Sequence, residues 1–411
     1  MSSLPAVAAM VTPWLVPLAA LVSATLVRRA HARHTEPQPW VDAGVATLML
    51  VPLAAIVAWP GSFTPARAAI AAGLSVALLS NDPRDLPQTE VALKIMWVLA
   101  AAFALSWAGD ALLALASGSA RPREQWPALA LALDPYALWS AALSLSLLAG
   151  LVLLGGAPFH FWPGDLFHGA RPHLAPLVAA TLQMAGAVWL QRHLDGITSF
   201  GGAAQLVRAL LTLSAMVALA GGAATLGYQW RPERRVGALV SLQGALMLAS
   251  LAAAPTRTPF AEHGGISAWA GHLLLASTGA SILSHFLPAA AGPSERASVL
   301  FRRHPWAGAA GAYALLSLAG APGTPGMFVW LDAARTLADL KHPGLLFGLT
   351  LAWLAAFGVA ADEIRRAFGA PDGSPVPARP VPRSLRAALW LTFGALVVLM
   401  AVWNWGMRAE G

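Results

Sequence analysis

The sequence predicts an all-α integral membrane protein with about 12 transmembrane helices, within a range of about 11–13. Hydrophobic residues make up 57% of the 411 residues, and charged residues only 11%. A soluble domain carries about 25% charged residues, so this composition excludes a soluble enzyme. The apolar residues form continuous runs rather than alternating patterns, which excludes a transmembrane β-barrel.

The apolar windows place the predicted spans along the chain. The expected spans are 6–27, 41–58, 66–80, 91–116, 136–154, 173–190, 206–228, 236–254, 266–287, 306–319, 344–361 and 384–404. The third window is short and also fits a re-entrant or tilted segment. Residues 327–340 are only half apolar and predict a broken or amphipathic segment. The first window lacks a preceding basic region, which favours a first span over a removable signal peptide.

Stretches rich in proline and glycine separate several windows, because these residues end helices. They lie at 37–40, 122–127, 158–164, 322–326 and 371–382. We therefore expect N-terminal helices in residues 1–90 and a core of two bundles in 91–370, with a boundary near 230. A linker and a C-terminal helix follow in 371–411.

Arginines in the short connections account for much of the formal net charge of +7. Basic residues concentrate in the cytoplasmic loops of membrane proteins. The arginine-rich connections follow odd-numbered windows, which predicts that both termini are periplasmic. Arg121 and Arg123, in an even-numbered connection, argue against this orientation. The odd connections carry Arg28, Arg29, Arg33, Arg231, Arg234, Arg235, Arg296, Arg302, Arg303, Arg365, Arg366, Arg379 and Arg383.

Residues 155–173 hold the strongest local motif, in which prolines and aromatic side chains surround histidines and one carboxylate. One interpretation is an interfacial aromatic loop. The other is a structured loop in which Asp165 or a histidine organises helices or a proton path. The histidines lack regular metal-ligand spacing, and the chain has no cysteine, so we expect no metal site and no cofactor on this chain. The candidate residues are Pro158, His160, Trp162, Asp165 and His168.

The stretch Pro158-Phe-His-Phe-Trp-Pro-Gly-Asp165 resembles the Pro-Phe-His-x-Trp-Leu-Pro-Asp-Ala signature of a membrane-protein family. These are the antiporter-like, proton-pumping subunits of NADH:quinone oxidoreductase (complex I), multisubunit Na⁺/H⁺ antiporters and membrane hydrogenases. Arg231-Pro-Glu-Arg-Arg-Val-Gly-Ala-Leu-Val-Ser241 resembles the family's Asp-Leu-Lys-Arg-Leu-Leu-Ala-Tyr-Ser-Ser. Leu316-Ser-Leu-Ala-Gly-Ala-Pro-Gly-Thr-Pro-Gly326 resembles its Leu-Ser-Leu-Ala-Gly-Ile-Pro-Pro-Thr-Ala-Gly-Phe, and 294–305 its preceding amphipathic connection. The match covers about residues 135–366.

The resemblance implies two inverted five-helix repeats, each with one discontinuous helix broken near 170–186 or 322–332. It also implies a multi-pass protein of the bacterial inner membrane, with partner subunits, lipid, and protons or cations as its ligands. Asp165, His160, Arg234 and Arg235 would organise the broken helices. The family's relay lysines line up with Gln183, Gln243 and Trp330, and residues 117–119 offer no acid where its buried glutamate is expected.

A glutamine amide and an indole do not gain or lose a proton near neutral pH, so these relay positions are predicted to be inactive. Other polar groups within the spans remain alternatives. The spacing of Asp332, Arg335 and Asp339 predicts one helix face carrying a charge triad, most simply a neutralised pair. Lys94 is expected to pair with Glu90, four residues earlier, with Asp110 about four turns further on. The remaining candidates are His272 and His285, which could carry protons, and the cluster Asp362, Glu363, Arg365 and Arg366, read as a solvated cap or a partner contact.

Three functions follow from these residues. The leading one is a structural or coupling subunit of a larger energy-coupling complex, without a full proton relay. The second is the membrane partner of a zinc-containing, carbonic-anhydrase-like protein in inorganic carbon uptake driven by proton motive force. The third is a stand-alone cation or proton transporter that uses His272 and His285. The chain shows no nucleotide-binding or hydrolase motif, so enzymatic activity would belong to a complex such as a proton-translocating oxidoreductase. Nucleic acid is not an expected partner.

Overall fold

The computed structural model is entirely helical over the residues that it describes. These are residues 86–119, 136–170, 174–197, 201–255, 259–286, 304–368 and 381–409, with isolated positions at 49, 51–52, 54–55, 67, 69–70, 72–73, 125 and 257. The helices are α1 (Leu86–Ser117), α2 (Tyr136–Leu154), α3 (Trp162–Gly169), α4 (Ala175–Ile197), α5 (Gly201–Tyr228), α6 (Pro232–Ala253), α7 (Gly265–Phe286), α8 (Pro305–Leu318), α9 (Pro325–Asp339), α10 (Pro343–Phe368) and α11 (Arg383–Ala409). A short 3₁₀ turn, Ala261–His263, precedes α7.

The predicted spans from 91–116 onward each coincide with a helix, and the all-α membrane class is confirmed. Within the described residues, six helices are long and apolar enough to cross a membrane: α1, α5, α6, α7, α10 and α11. The spans expected at 6–27, 41–58 and 66–80 lie outside the described residues, apart from isolated positions. The total of about 12 spans and the division into three parts therefore stay predictions.

Helix α6 forms the centre of the described bundle. Its apolar window is completely buried, and it contacts α2 to α5 and α7 to α10. A helix that is apolar all round is buried against other helices. The spanning windows of α1, α5, α10 and α11 are about one-third buried or less, so their outer faces are available to lipid or partner subunits.

Two helices are interrupted by a glycine-dependent turn of the same kind. Gly155 after α2 has φ +72°, and Gly320 after α8 has φ +73°, in the left-handed region that favours glycine. The amide of Gly156 donates to the carbonyl of Leu151, and the amide of Ala321 donates to that of Leu316. This bond from the second residue past a helix end, beside a shorter one from the glycine, defines a Schellman cap. Each chain then restarts as a helix with a proline in its first turn, α3 and α9 respectively.

The predicted break positions are partly wrong. Helix α4 runs without interruption from Ala175 to Ile197, and the break that the structure describes instead occupies residues 155–161. The second break occupies 319–324, so it overlaps the prediction only at its start. Pro163 does not break a helix, because it lies in the first turn of α3, where no backbone N–H is needed. Gly186 does not break α4 either, since it lets α4 approach the backbone of α2 closely.

Candidate functional site

The first junction, between α2 and α3, is held by side chains that donate to exposed backbone carbonyls. Trp162 Nε1 donates to the carbonyl of Val152 at 2.9 Å, across the break. Ser241 of α6 donates to the carbonyl of His160 at 3.0 Å. Ser214 of α5 donates to the carbonyl of Ala157 at 2.9 Å. These bonds satisfy backbone groups that an interrupted helix leaves without intrahelical partners.

At the second junction, between α8 and α9, side chains likewise donate hydrogen bonds to a backbone carbonyl, that of Leu318. Gln243 Nε2 of α6 donates to the carbonyl of Leu318 at 2.8 Å, and Trp330 Nε1 of α9 donates to it at 3.4 Å. Trp330 also stacks on Trp353, with ring centroids 5.6 Å apart, and Trp353 Nε1 donates to the carbonyl of Gly320 at 3.2 Å. In both junctions, therefore, an indole from the restarted helix bonds back to the end of the preceding one.

A buried histidine completes the second junction. His272 Nε2 lies 2.9 Å from Ser317 Oγ, which also accepts the amide N–H of Gly326 at 3.2 Å. His272 is fully buried, and its Nδ1 has no hydrogen-bond partner among the described residues. Its ring lies 6.1 Å from that of Trp403, in an aromatic setting. The serine hydroxyl thus links α7, α8 and α9 at one point.

Asp165 of α3 lies between two cations from different helices. Lys94 Nζ of α1 is 3.2 Å from one of its oxygens, and Arg234 of α6 is 3.3 Å from the other. Lys94 also pairs with Glu90 at 2.7 Å, as the four-residue spacing predicts. The contact between Arg234 and Asp165 joins α6 to α3 beside the first break, and residues 162–169 of the motif form a helix. The organising role of Asp165 and Arg234 stays a prediction.

His168, one turn after Asp165, accepts a hydrogen bond from Arg231 through Nε2 at 2.5 Å. Arginine only donates, so the accepting nitrogen must be unprotonated. Burial lowers the pKa of His168, and the nearby charges of Arg231 and Arg234 lower it further. The histidine is therefore neutral in this contact. His160 is half-buried, and its ring lies against Gly221, with Nδ1 unpartnered within the described residues.

No protein-family model matches the sequence. Among curated proteins, it is 33% identical over 260 residues to NADH-quinone oxidoreductase subunit N of Cereibacter sphaeroides, covering 60% of this chain and 51% of the relative. It is 26% identical over 271 residues to subunit N of a Paenibacillus species, covering 62% and 50%. The chain thus spans about half the length of the curated relatives it matches.

Solved structures share its fold. A chain of respiratory complex I from Thermus thermophilus matches with a TM-score of 0.70 at 20% identity, covering 95% of this chain and 83% of that one. A chain of the Mrp complex from Dietzia matches with a TM-score of 0.67 at 17% identity, covering 93% and 42%. The chain is therefore similar in sequence to NADH-quinone oxidoreductase subunit N, and it shares its fold with these complex I and Mrp chains.

Neutral side chains stand at the three positions that the sequence resemblance aligns with relay lysines, and the assignment of these positions stays a prediction. Gln183 and Gln243 are both fully buried. Gln183 Nε2 donates to the carbonyl of Val240 at 3.1 Å, and Gln243 bonds Leu318 as described above. Trp330 is likewise fully buried. Ser117, near the expected acid, donates to the carbonyl of Ser119 at the end of α1.

Asp110 pairs with a residue that the sequence analysis missed. Its carboxylate contacts Arg67, and the guanidinium of Arg67 lies over Trp107 at 4.5 Å and near Trp189 at 5.6 Å. Asp110 is about four turns from Lys94 on α1, too far for the two to pair directly. Arg67 lies alone in the apolar window 66–80, and this position indicates a charged partner. A charge inside a membrane is costly and is normally found beside an opposite charge.

The charge cluster at the end of α10 is only partly solvated, because Arg365 is exposed whereas Glu363 is buried. Glu363 is 3% exposed and accepts a hydrogen bond from Arg235 Nη1 of α6 at 2.5 Å. The same guanidinium nitrogen is 3.0 Å from Asp362. Arg235 therefore joins α6 to α10. Its described hydrogen bonds go to α10 and to the carbonyl of Gln229 and not to either break, so its predicted role in organising the broken helices stays a prediction. Its partner lies 128 positions away along the chain, so no local spacing could indicate the pair.

The remaining candidates are not brought together. Arg335 and Asp339 are exposed on α9, and no ion pair joins Arg335 to Asp332 or Asp339 in the described part of the chain. Exposed pairs contribute only about 0–1 kcal/mol, so the spacing alone does not enforce a contact. His272 and His285 lie on α7 about 20 Å apart along the helix axis. A direct proton transfer between these histidines is excluded by that distance.

Proposed function

We propose that this chain is a subunit of a larger energy-coupling complex in the bacterial inner membrane, and that it supports the assembly without a full proton relay of its own. The observation that carries the proposal is the burial and hydrogen bonding of the Gln183 and Gln243 amides. Both amides are buried at positions aligned with the family's lysines, and both are bound to backbone carbonyls. A relay group must change its protonation, and a glutamine amide does not do so at neutral pH.

The family context supports the assembly. NADH-quinone oxidoreductase subunit N and the Mrp chain are parts of multisubunit complexes by their names, and this chain has their fold. The outer faces of α1, α5, α10 and α11 carry exposed large apolar side chains, which suit lipid and neighbouring subunits. We therefore assign other membrane subunits as partners and protons or cations as the ions that the whole complex moves.

Co-purification tests the partners directly. The tagged chain is extracted from its host in mild detergent, and the proteins that accompany it are identified by mass spectrometry, with an untagged strain as the control. We expect sibling antiporter-like subunits together with a redox or hydrogenase arm. A zinc-containing, carbonic-anhydrase-like partner would favour the carbon-uptake alternative instead. Recovery of the chain alone would contradict the complex.

Restoring lysine tests the missing relay. Gln183→Lys in the complex should leave proton flux into sealed vesicles unchanged, because the other aligned positions remain neutral. Gln205→Lys, on an exposed position of α5, is the matched control for the added charge. An increase in proton flux with Gln183→Lys, absent in the control, would show that a competent path survives and would contradict the proposal.

A further inference from the structure

A cavity lies where α6, α7, α8 and α10 meet, near the C-terminal end of α10. Apolar side chains form most of its wall. Two groups of opposite charge, Arg235 and Glu363, also line it, together with the hydroxyl of Ser284. The apolar lining comes from Pro232, Val236, Leu239, Ala280, Leu283, Leu315 and Val359. The cavity is therefore an apolar chamber with one ion pair on its wall.

The two oxygens of the Glu363 carboxyl differ in their contacts. Oε1 accepts from Arg235, whereas Oε2 is buried and has no hydrogen-bond partner among the described residues. Leaving a charged oxygen buried without a donor costs more than leaving a neutral group so. A proton on Oε2 lowers that cost, because a buried neutral O–H without a partner is less unfavourable than a buried charged oxygen, and it keeps the bond from Arg235 to Oε1. Glu363 can thus be protonated or ionised with nearly the same contacts between heavy atoms.

The neighbouring carboxylate is held quite differently. Asp362 is 25% exposed and has cations of its own, Arg365 at 2.8 Å and Arg366 at 2.6 Å. It also shares Arg235 Nη1 with Glu363, which divides the stabilisation that this arginine gives to Glu363.

The other elements around Glu363 add little positive charge. Helix α6 also brings Glu233, whose charge acts against a second anion there. Helix α7 contributes Ser284, followed by the exposed His285, and α8 contributes only the apolar Leu315. The carbonyl of Gln229, after α5, accepts from Arg235 Nε at 2.7 Å and holds the guanidinium in place. Of the two adjacent acids, Glu363 is therefore the one whose ionised form receives less stabilisation from its surroundings.

We propose that Glu363 is a proton-binding site, at which the carboxyl group takes up a proton on Oε2 inside this cavity and releases it again. On uptake, an O–H bond of a hydronium ion at the cavity breaks as the O–H bond on Oε2 forms, leaving water and the neutral acid; on release, the O–H bond on Oε2 breaks as water becomes hydronium. The site is separate from the positions aligned with the family's lysines. It also does not depend on the proposed function, since a chain that works alone or in a complex would carry it.

Infrared difference spectroscopy of the purified protein in lipid, taken between neutral and acidic pH, tests the site. We expect a carbonyl-stretch band of a protonated carboxylic acid to appear on acidification and to shift in ²H₂O. The band should be absent in Glu363→Gln, which keeps an acceptor for Arg235. It should persist in Asp362→Asn, the matched control on the next residue. A band that survives in Glu363→Gln, or no band at all, overturns the proposal and leaves Glu363 as a permanently ionised partner of Arg235.

A second variant covers the case in which Glu363→Gln does not fold. Glu363→Asp retains an acid, and the protein is then grown with ¹³C-labelled glutamate. In the labelled wild-type protein the band should shift, whereas in labelled Glu363→Asp it should be replaced by an unshifted aspartic acid band. A labelled shift that is the same in both proteins would place the proton on another glutamate and overturn the assignment.

Discussion

Among the residues that the structure describes, buried polar side chains are mostly neutral and bonded to backbone carbonyls. An ionised side chain in the bilayer centre is costly and is normally retained for function. Gln183, Gln243 and His272 avoid that cost, while each still holds an interrupted or central helix in place. The charges that remain are paired: Arg67 with Asp110, and Arg235 with Glu363. These polar side chains therefore hold helices together without leaving an unpaired charge at these described positions.

His168 provides a test of how protonation affects stability. Its pKa is lowered in the folded protein from the ordinary value of 6.5, chiefly by burial, so the unfolded chain binds the proton more readily. The free energy of unfolding should therefore be unaffected by His168 above about pH 6.5, where the histidine is neutral in both states. It should fall as the pH is lowered below about 6.5, because the unfolded chain takes up the proton first. Denaturant unfolding in mixed micelles at about pH 7 and pH 5 measures this loss.

His168→Gln removes the titrating group and should lessen the loss of stability between the two pH values. His342→Gln, in the connection between α9 and α10, is the control and should retain the wild-type loss. An equal acid sensitivity in His168→Gln and the wild-type protein would contradict the assigned contact with Arg231.

The interrupted helices depend on close backbone approaches at the scale of the element. Gly155 and Gly320 adopt conformations that other residues rarely adopt, and Gly326 allows α9 to start directly against the end of α8. Hydrogen bonds from α6 then hold both junctions against this central helix, from Ser241 at the first junction and from Gln243 at the second. A single rigid element thereby sets the position of both breaks.

Gly326→Ala should disrupt the second junction. A methyl group at this position would overlap the carbonyl of Ser317, which is backbone and cannot move aside without displacing α8. We expect a loss of about 1–3 kcal/mol in the free energy of unfolding. Gly358→Ala, in open space on α10, is the control and should be neutral or up to about 1 kcal/mol stabilising. Equal stability of the two variants would show that the junction is loosely packed.

Hydropathy predicts the helices well but the contacts poorly, and the reason is physical. The ranges 136–154 and 306–319 correspond to α2 and α8 within a residue, because a helix packed among other helices of a membrane protein is apolar nearly all round. The Lys94–Glu90 pair follows from local spacing. The pairs Arg67–Asp110 and Arg235–Glu363 join distant segments, and their partners are fixed only by how the helices pack. The aligned positions of Gln183 and Gln243 were identifiable from the resemblance, whereas their carbonyl acceptors were not.

For the whole molecule, the arrangement of charge at the two ends of the bundle sets its expected orientation. The end of α6 that begins at Pro232 and the C-terminal end of α10 meet at Arg235, and both regions are rich in arginine. Basic residues near the ends of spans favour the cytoplasmic side. We therefore predict that this face, with Asp165 and Arg234 close by, is cytoplasmic and that the α9–α10 connection is periplasmic.

Cysteine labelling tests this orientation with little background, because the chain contains no cysteine. Asp339→Cys, at the exposed end of α9, should react with a membrane-impermeant maleimide in intact spheroplasts. Arg365→Cys, at the opposite end of α10 and also exposed, should react only after the membrane is permeabilised. The cysteine-free parent is the control for labelling of other proteins. The reverse pattern would place the arginine-rich face outside, and reaction of both cysteines before permeabilisation would show that α10 does not cross the membrane.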